Sequence, residues 1–447
     1  MSNAKKVVII GGVAGGMSAA SKAKRENPEL EVTVFERSRY ISYGACGMPY
    51  VIGGLIPDLE KLVSRSPEEM AERGVEVKVR HEVTEVDHEN RTLKVKNLAS
   101  GESFEASYDI LVLATGAQPI RPDLPGMDLE HIYTLRRMED AAAIIEAAEG
   151  ARRAVIVGGG YIGLEMAEAL TLAGLEVSVA QRSGSLLESI TPDYSDMAQR
   201  ELEDNGVRVL LNAEVTAFEG EGSVARVVTE KETLDADLVI FAAGVKPNSE
   251  LAKGLGVDLG PSDAVLTDEK LRTNVADVYA VGDVTAARHM LTDKPTWLPL
   301  GDTANKQGRV AGTVIAGKEA SFKGVLGTAV TKVFERAFAT TGLNEKAAQE
   351  AGFDAESLCI EDTDHAGYYP DHSPLTVTLV WEKGSQKLLG AQLAGYGDAV
   401  KRVDAIAALL LKDATLADLA DLDMAYAPPF SGVWDSLLVA ANVALSD

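Results

Sequence analysis

Cys46 stands in the run Ser42-Tyr43-Gly44-Ala45-Cys46-Gly47-Met48-Pro49-Tyr50, just ahead of a predicted helical turn. A thiolate is the nucleophile of disulfide exchange, and a helix N-terminus, a cation or a polarisable acceptor favours its formation. In a dithiol active site the second cysteine follows within about one helical turn, so that both sulfurs share a helix face. Val51 holds that position here, so Cys46 has no near neighbour with which to close a disulfide. Two chemistries remain: attack on a substrate disulfide to form a mixed disulfide, or cycling through a sulfenic acid with oxygen or peroxide. The other cysteine, Cys359, lies in the apolar run Leu358-Cys359-Ile360 and is expected in the core. Two cysteines are too few for a disulfide framework or a zinc cluster, and no metal site is expected.

A redox thiol needs electrons, and two stretches can bind their carriers. The apolar strand Val7 to Ile10 runs into Gly11-Gly12-Val13-Ala14-Gly15-Gly16 and then a helical pattern from Met17. Strand, glycine turn and helix form a dinucleotide site, because the tight turn lets backbone and helix N-terminus approach a pyrophosphate. Val13 replaces the second glycine of the fingerprint. The next strand ends at Glu36-Arg37, where the acid can accept ribose hydroxyls. A second unit fits the fingerprint fully: Ala154 to Val157, then Gly158-Gly159-Gly160-Tyr161-Ile162-Gly163, then a helix. At the end of its second strand Gln181-Arg182-Ser183 stands in place of the acid, which favours NADPH, or use of both nicotinamide nucleotides. Three further apolar strands end in glycine turns, at Thr115-Gly116, Gly244 and Gly282-Asp283. Such ends are where cofactor phosphates and hydroxyls lie in open parallel sheets, with Asp283 the candidate for a ribityl hydroxyl.

The 447 residues allow two to four domains, at roughly 100 to 200 residues each. Lys plus Arg number 43 against 68 Asp plus Glu, and the resulting charge of -25 repels nucleic acid and anionic lipid at long range. A polyanionic substrate therefore needs cations gathered locally. No signal-peptide core and no apolar stretch near 18 residues is present, so neither a membrane nor nucleic acid is an expected partner and the expected location is cytoplasmic.

Together these residues resemble the pyridine nucleotide-disulfide reductase superfamily over nearly the whole chain. The Cys46 run resembles its single-cysteine branch, which includes coenzyme A-disulfide reductases, NAD(P)H oxidases and persulfide reductases. His365-Ala366-Gly367-Tyr368-Tyr369-Pro370 and Tyr426-Ala427-Pro428-Pro429-Phe430 are similar to the coenzyme A-disulfide reductases in particular. The resemblance implies an α/β protein with two Rossmann-like FAD and NAD(P)H domains plus a C-terminal α+β dimerisation domain. The FAD domain would be split over residues 1–118 and 247–322 around an NAD(P)H domain at 119–246, with dimerisation from 323 to 447. It further implies a homodimer in which Tyr368 or Tyr369, with Tyr426, meets Cys46 of the other subunit, where a phenol can hand a proton to a departing thiolate.

For coenzyme A, as substrate or bound group, the local cations would be Lys22, Arg25 and Arg65 with Ser18 and Ser42 as hydroxyl partners, and the resemblance adds Asn305. Three departures bear on the chemistry. Ala14 stands where the peroxidase and water-forming oxidase branches carry a histidine, Ala45 replaces an asparagine before the cysteine, and Trp434 replaces a lysine after the Tyr-Ala-Pro-Pro stretch. The expected activity is NAD(P)H-dependent reduction of coenzyme A disulfide. The rivals are an oxidase or persulfide/polysulfide reductase on the same scaffold, and a flavin electron-transfer protein that uses no thiol.

Overall fold

The structure is a computed structural model that describes residues 4–446. Val7, Val8, Ile9 and Ile10 are all buried, as a strand flanked on both faces requires, and they form the middle of a five-stranded parallel sheet. Lys6–Ile10 pairs with Glu31–Glu36 on one side and Ile110–Leu113 on the other. Val75–Val79 and Val278–Ala280 take the two edges, so the chain returns to its first sheet late in the sequence. Arg153–Val157 is the middle of a second parallel sheet, between Glu176–Ala180 and Leu238–Phe241. In each unit the crossover helix, Ala14–Glu26 or Tyr161–Leu172, begins at the glycine turn and buries one face on its sheet.

From Ala329 onward the pattern changes to an antiparallel sheet: Ala329–Val333, Arg336–Gly342, Leu388–Tyr396, Pro374–Glu382 and Ala355–Thr363, in that order across it. One face packs against helices Val403–Leu410 and Ser436–Ser446, with Leu375, Leu393, Ile406 and Leu437 fully buried between them. The opposite face is fixed to the second unit. Tyr194 is buried there, its hydroxyl donating to the Gln392 carbonyl at 2.8 Å and lying 2.9 Å from Thr378 Oγ1. Glu168 ion-pairs with Lys332 and accepts the Phe334 N–H.

One expectation fails here. Cys359 is exposed, not in the core. It lies on the edge strand Ala355–Thr363, where side chains alternate between faces: Leu358 and Ile360 turn inward and Cys359 turns out. Three consecutive apolar residues on a strand cannot all point one way.

Candidate active site

Cys46 sits in a 3-10 turn, Ala45–Gly47, that runs into the short helix Met48–Ile52. Met48 and Ile52 are buried in the core of the second unit, which pulls the cysteine turn between the two nucleotide units. The other end is tied to the first glycine turn: Ser42 N–H donates to the Gly12 carbonyl at 2.9 Å, and the Ser42 carbonyl accepts the Ser64 N–H at 2.8 Å. Ser42 adopts a left-handed φ of 48° to make both bonds. Its backbone therefore has a structural duty apart from any substrate contact.

The thiol opens into a cavity of about 2120 Å³ whose wall also includes Gly158, Gly160, Tyr161, Glu165 and Arg136. The sequence reading asked for a lowered thiol pKa. The structure does the reverse: burial pushes Cys46 up, the Glu165 and Asp283 carboxylates push it further, and Arg136 opposes them. Glu165 is itself raised from 4.5 to about 7, first by burial and then by Glu168, with Lys332 pulling the other way. Glu165 lies one helical turn after Tyr161, so both face the cavity.

A pH dependence follows. Near neutrality Glu165 ionises, and its negative charge holds the Cys46 thiol protonated to higher pH. Glu165→Gln removes that charge, so Cys46 alkylation by iodoacetamide should reach half its maximal rate at lower pH than in the wild type. Stability gives the same residue a second signature. A carboxyl raised on folding binds more protons in the native state, so its contribution is lost as pH rises from about 4.5 to about 7. Glu165→Gln should therefore gain on the order of 2 kcal/mol over the wild type above pH 7, after allowance for partial exposure, and little at pH 4.

The two glycine turns are built alike. Gly11 has φ 112°, and a methyl there would overlap the Ala114 carbonyl oxygen of the neighbouring strand. Gly158 has φ 108°, and a methyl would come within 2.6 Å of the Ala242 carbonyl oxygen. Gly16 and Gly163 close the two turns in equivalent positions over the carbonyls of Gly11 and Gly158. In the first unit the buried Glu36 carboxylate accepts the Gly12 and Ser38 N–H groups, each at 2.7 Å. In the second, Gln181 Oε1 accepts the Gly159 N–H at 2.8 Å. Glu36 and Gln181 thus brace their own turns.

Room for a nucleotide is visible at Gly160, where φ is negative and a methyl would meet nothing within 4 Å. The fold does not require glycine there, and a dinucleotide turn keeps this position small where a pyrophosphate approaches. Val13 occupies the equivalent place with a φ of -104°, which explains why the backbone tolerates it, and Ala14 and Gly15 continue into the helix. Gln181 Nε2 donates to Ser183 Oγ at 2.6 Å and to Glu188 at 3.3 Å. Arg182 is exposed on the cavity wall, and among the described residues nothing pairs with its guanidinium. Arg37 is exposed, 4.0 Å from Glu82, its pKa lowered by burial and by Arg137.

At the other strand ends, Thr115 Oγ1 donates to the Asn248 carbonyl at 2.7 Å while Asn248 Nδ2 returns a bond to Thr115 at 2.8 Å. Gly116 and Gly244 turn beside them with positive φ, and Gly244 and Ile162 line the cavity. Gly282 N–H donates to Gln307 at 2.7 Å. Asp283 accepts from Arg136 Nη2 at 2.7 Å, and Trp297 Nε1 donates to its carbonyl at 2.8 Å. Arg136 and Glu165 are the functional candidates missed from the sequence. Spacing from Tyr161 could have found Glu165, whereas Arg136 belongs to no motif.

The proposed substrate groups separate into two sets. Ser18 Oγ donates to Asn305 Oδ1 at 2.7 Å across the contact of helices Ala14–Glu26 and Gly301–Ile315. Lys22 is close by but paired with Glu26, which also takes Lys318 and is thereby held at about 2. Arg25 and Arg65 are exposed, Arg65 bonded to the Ser64 carbonyl at 2.9 Å. Lys306, itself paired with Asp302 at 2.9 Å, and Arg309, one and four residues after Asn305, reach the wall of the Cys46 cavity and went unnoticed in the sequence.

Tyr368 and Tyr426 come together, hydroxyl to hydroxyl at 3.1 Å, a bond that raises the Tyr426 pKa. Tyr369 instead presents its ring to His365 at 5.6 Å. With Phe430, Val433 and Trp434 the three tyrosines form an exposed aromatic face, outside the wall of the Cys46 cavity of the same chain. Among the described residues no group of three or more His, Cys, Asp or Glu could hold a metal ion, and no helix is long and apolar enough to cross a membrane.

Two braced dinucleotide turns, the second of them on the wall of the cavity into which Cys46 opens, fit an FAD- and NAD(P)H-dependent oxidoreductase. Residues 5–318 match the pyridine nucleotide-disulphide oxidoreductase family and residues 328–437 match its dimerisation domain, and the chain belongs to that family. It is 42% identical over 98% of both chains to an NAD(P)H sulfur oxidoreductase (CoA-dependent) of Pyrococcus abyssi. It is 32% identical to a coenzyme A disulfide reductase of Staphylococcus haemolyticus, over 96% of both chains. Among solved structures it is similar to an engineered water-forming NADPH oxidase bound to NADPH, made from the Lactobacillus brevis enzyme (TM-score 0.95, 30% identity, 99% of this chain and 98% of that one).

Proposed function

We propose that the protein reduces coenzyme A disulfide with NADPH, through a mixed disulfide on Cys46. The observation that carries the reading is a lone thiol, with Val51 where a resolving cysteine would be, opening into the cavity walled by the Gly158 turn. FAD, held at the Gly11 turn, supplies the relay of an electron pair from NADPH to sulfur. The Cys46 thiolate attacks one sulfur of the substrate disulfide, forms a Cys46–substrate disulfide and expels the first thiolate, which takes a proton. Two electrons from NADPH then cleave the mixed disulfide, returning the Cys46 thiolate and a second substrate thiolate that also takes a proton. The sum is one disulfide, one NADPH and one proton giving two thiols and NADP⁺.

The proton donor is the Tyr368–Tyr426 pair of the second subunit of a homodimer. The pairing of those two hydroxyls favours Tyr368 over Tyr369. Lys306 and Arg309 join Ser18 and Asn305 in receiving the phosphates of coenzyme A. A second reading has polysulfide or persulfide as the sulfur acceptor, with coenzyme A as carrier, and the name of the Pyrococcus relative favours it.

NADPH is favoured by Arg182 and Ser183, since the substitutions of the engineered NADPH oxidase introduce an arginine and a serine side by side. Arg182→Ala should lower kcat/KM for NADPH by about 10- to 100-fold, the value of a charge-assisted bond to phosphate, and leave NADH use nearly unchanged. Steady-state rates with both nucleotides check this.

The reading as a whole is tested by anaerobic stopped-flow mixing of NADPH-reduced protein with coenzyme A disulfide. The expected result is rapid flavin reoxidation with two thiols released per flavin. A flavin that stays reduced until polysulfide or oxygen is admitted would transfer the assignment to those acceptors.

A further inference from the structure

Tyr368 and Tyr426 lie on two loops, residues 364–373 and 424–435, separated by strands and helices and joined by no strand pairing. Apart from the tyrosine hydroxyls, one backbone bond joins them among the described residues, Ala366 N–H to the Pro428 carbonyl at 3.3 Å. The remaining link is Arg402, the last residue of the 3-10 segment Gly397–Arg402. Its Nη2 donates to the Asp364 carbonyl at 2.7 Å and to the Phe430 carbonyl at 3.0 Å, one from each loop. Nη1 donates to the Ala399 carbonyl at 3.2 Å and Nε to Asp435 Oδ2 at 2.8 Å.

Asp435 is held in turn by Ser431 Oγ at 3.0 Å and by the Leu437 N–H at 3.0 Å. The two charged side chains are only 13% and 5% exposed. A buried guanidinium that spends four donations, three of them on backbone carbonyls, fixes backbone geometry, because its planar fork admits one arrangement of acceptors. Both carbonyls that it bridges lie four residues from a tyrosine of the pair.

We propose that Arg402, braced by Asp435, is a positioning residue for the sulfur half of the reaction: it sets the Tyr368–Tyr426 hydroxyl pair that serves the Cys46 site. The inference rests on the proposed role of that tyrosine pair and assigns the pair a structural cause. Lysine cannot replace the arginine, since a point cation cannot reach two carbonyls and a carboxylate along the directions the fork provides.

The test compares Arg402→Lys, Asp435→Asn, Tyr426→Phe and the double variant Arg402→Lys/Tyr426→Phe in the full-length flavin-loaded enzyme. Both half-reactions are followed by anaerobic stopped flow, with coenzyme A disulfide as the oxidant. Tyr426→Phe should slow flavin reoxidation about 100-fold and Arg402→Lys about tenfold or more, with reduction by NADPH unchanged in each. The double variant should be no slower than Tyr426→Phe alone, because Arg402 acts through a group already removed.

Asp435→Asn keeps an acceptor in place and should give a smaller slowing confined to the same half-reaction. It supplies the comparison if Arg402→Lys loses flavin. Multiplying losses in the double variant, or equal slowing of reduction by NADPH, would mean that Arg402 supports the fold generally and would overturn the proposal. Slow Tyr426→Phe with fast Arg402→Lys would overturn it alone. A fast Tyr426→Phe would remove the tyrosine role, and this inference with it.

Discussion

Cys46→Ser is expected to leave the reduction of the flavin by NADPH at its wild-type rate and to lower coenzyme A disulfide reduction at least about 1000-fold. The two halves separate because the Gly158 turn, proposed to take NADPH, lies on the second nucleotide unit, while the proposed sulfur chemistry passes through one atom of the Ala45–Gly47 turn. A serine hydroxyl is not ionised near neutral pH and cannot form a disulfide, so nothing in the cavity replaces the thiolate. Cys359→Ser is the matched control. Cys359 is exposed, but it lies on an edge strand of the antiparallel sheet and outside the Cys46 cavity, and its loss should leave both half-reactions unchanged. A Cys46→Ser enzyme that still turned over disulfide would favour the reading in which electrons leave the flavin without a thiol.

The second large effect separates the two cofactors. Gly11→Ala places a methyl against the Ala114 carbonyl at a φ of 112°, where an L side chain is strained even without the overlap. Neither neighbour can readily yield, since both are backbone immediately after the paired strands Lys6–Ile10 and Ile110–Leu113, with the Ala114 N–H bonded to the Ile10 carbonyl at 2.9 Å. The cost is about 3 kcal/mol or more, concentrated in the turn proposed to hold FAD, so the variant should purify with little bound flavin and a lowered Tm. Gly158→Ala has the same strain at φ 108° and a contact of 2.6 Å to the Ala242 carbonyl, but in the other unit. It should keep its flavin and lose reduction by NADPH about 100-fold or more. Flavin absorbance and a single NADPH-reduction trace distinguish the two variants. Loss of flavin from Gly158→Ala would contradict the division of cofactors between the turns.

The elements that proved legible in the sequence are those whose backbone demands a residue type. The strands Val7 to Ile10 and Ala154 to Val157 are apolar on both faces because both faces are covered, and the turns after them need glycine because Gly11 and Gly158 take positive φ. Cys46 was legible from its setting, a lone thiol before a proline-containing helical turn. Side chains whose role depends on distant partners were not. Nothing near Arg136 in sequence signals that it meets Asp283, 147 residues away. Arg402 likewise looks like an ordinary helix-flanking charge until the loops at 364 and 430 fold over it. The pairing of Lys22 with Glu26, which also meets Lys318 from a distant segment, was likewise not legible. The surroundings of Cys46 were hidden for the same reason: the helical turn was visible, but the carboxylates of Glu165 and Asp283, which raise the thiol pKa, were not.

The most direct test of the central claim is the mass of the oxidised protein after incubation with coenzyme A disulfide, followed by mapping of the modified peptide without reduction. One coenzyme A added per chain, located on the peptide containing Cys46, retained in Cys359→Ser, absent from Cys46→Ser and released by a single equivalent of NADPH, is the predicted result. An unmodified Cys46, or an adduct that NADPH does not release, would contradict a cycle that runs through the Cys46 mixed disulfide.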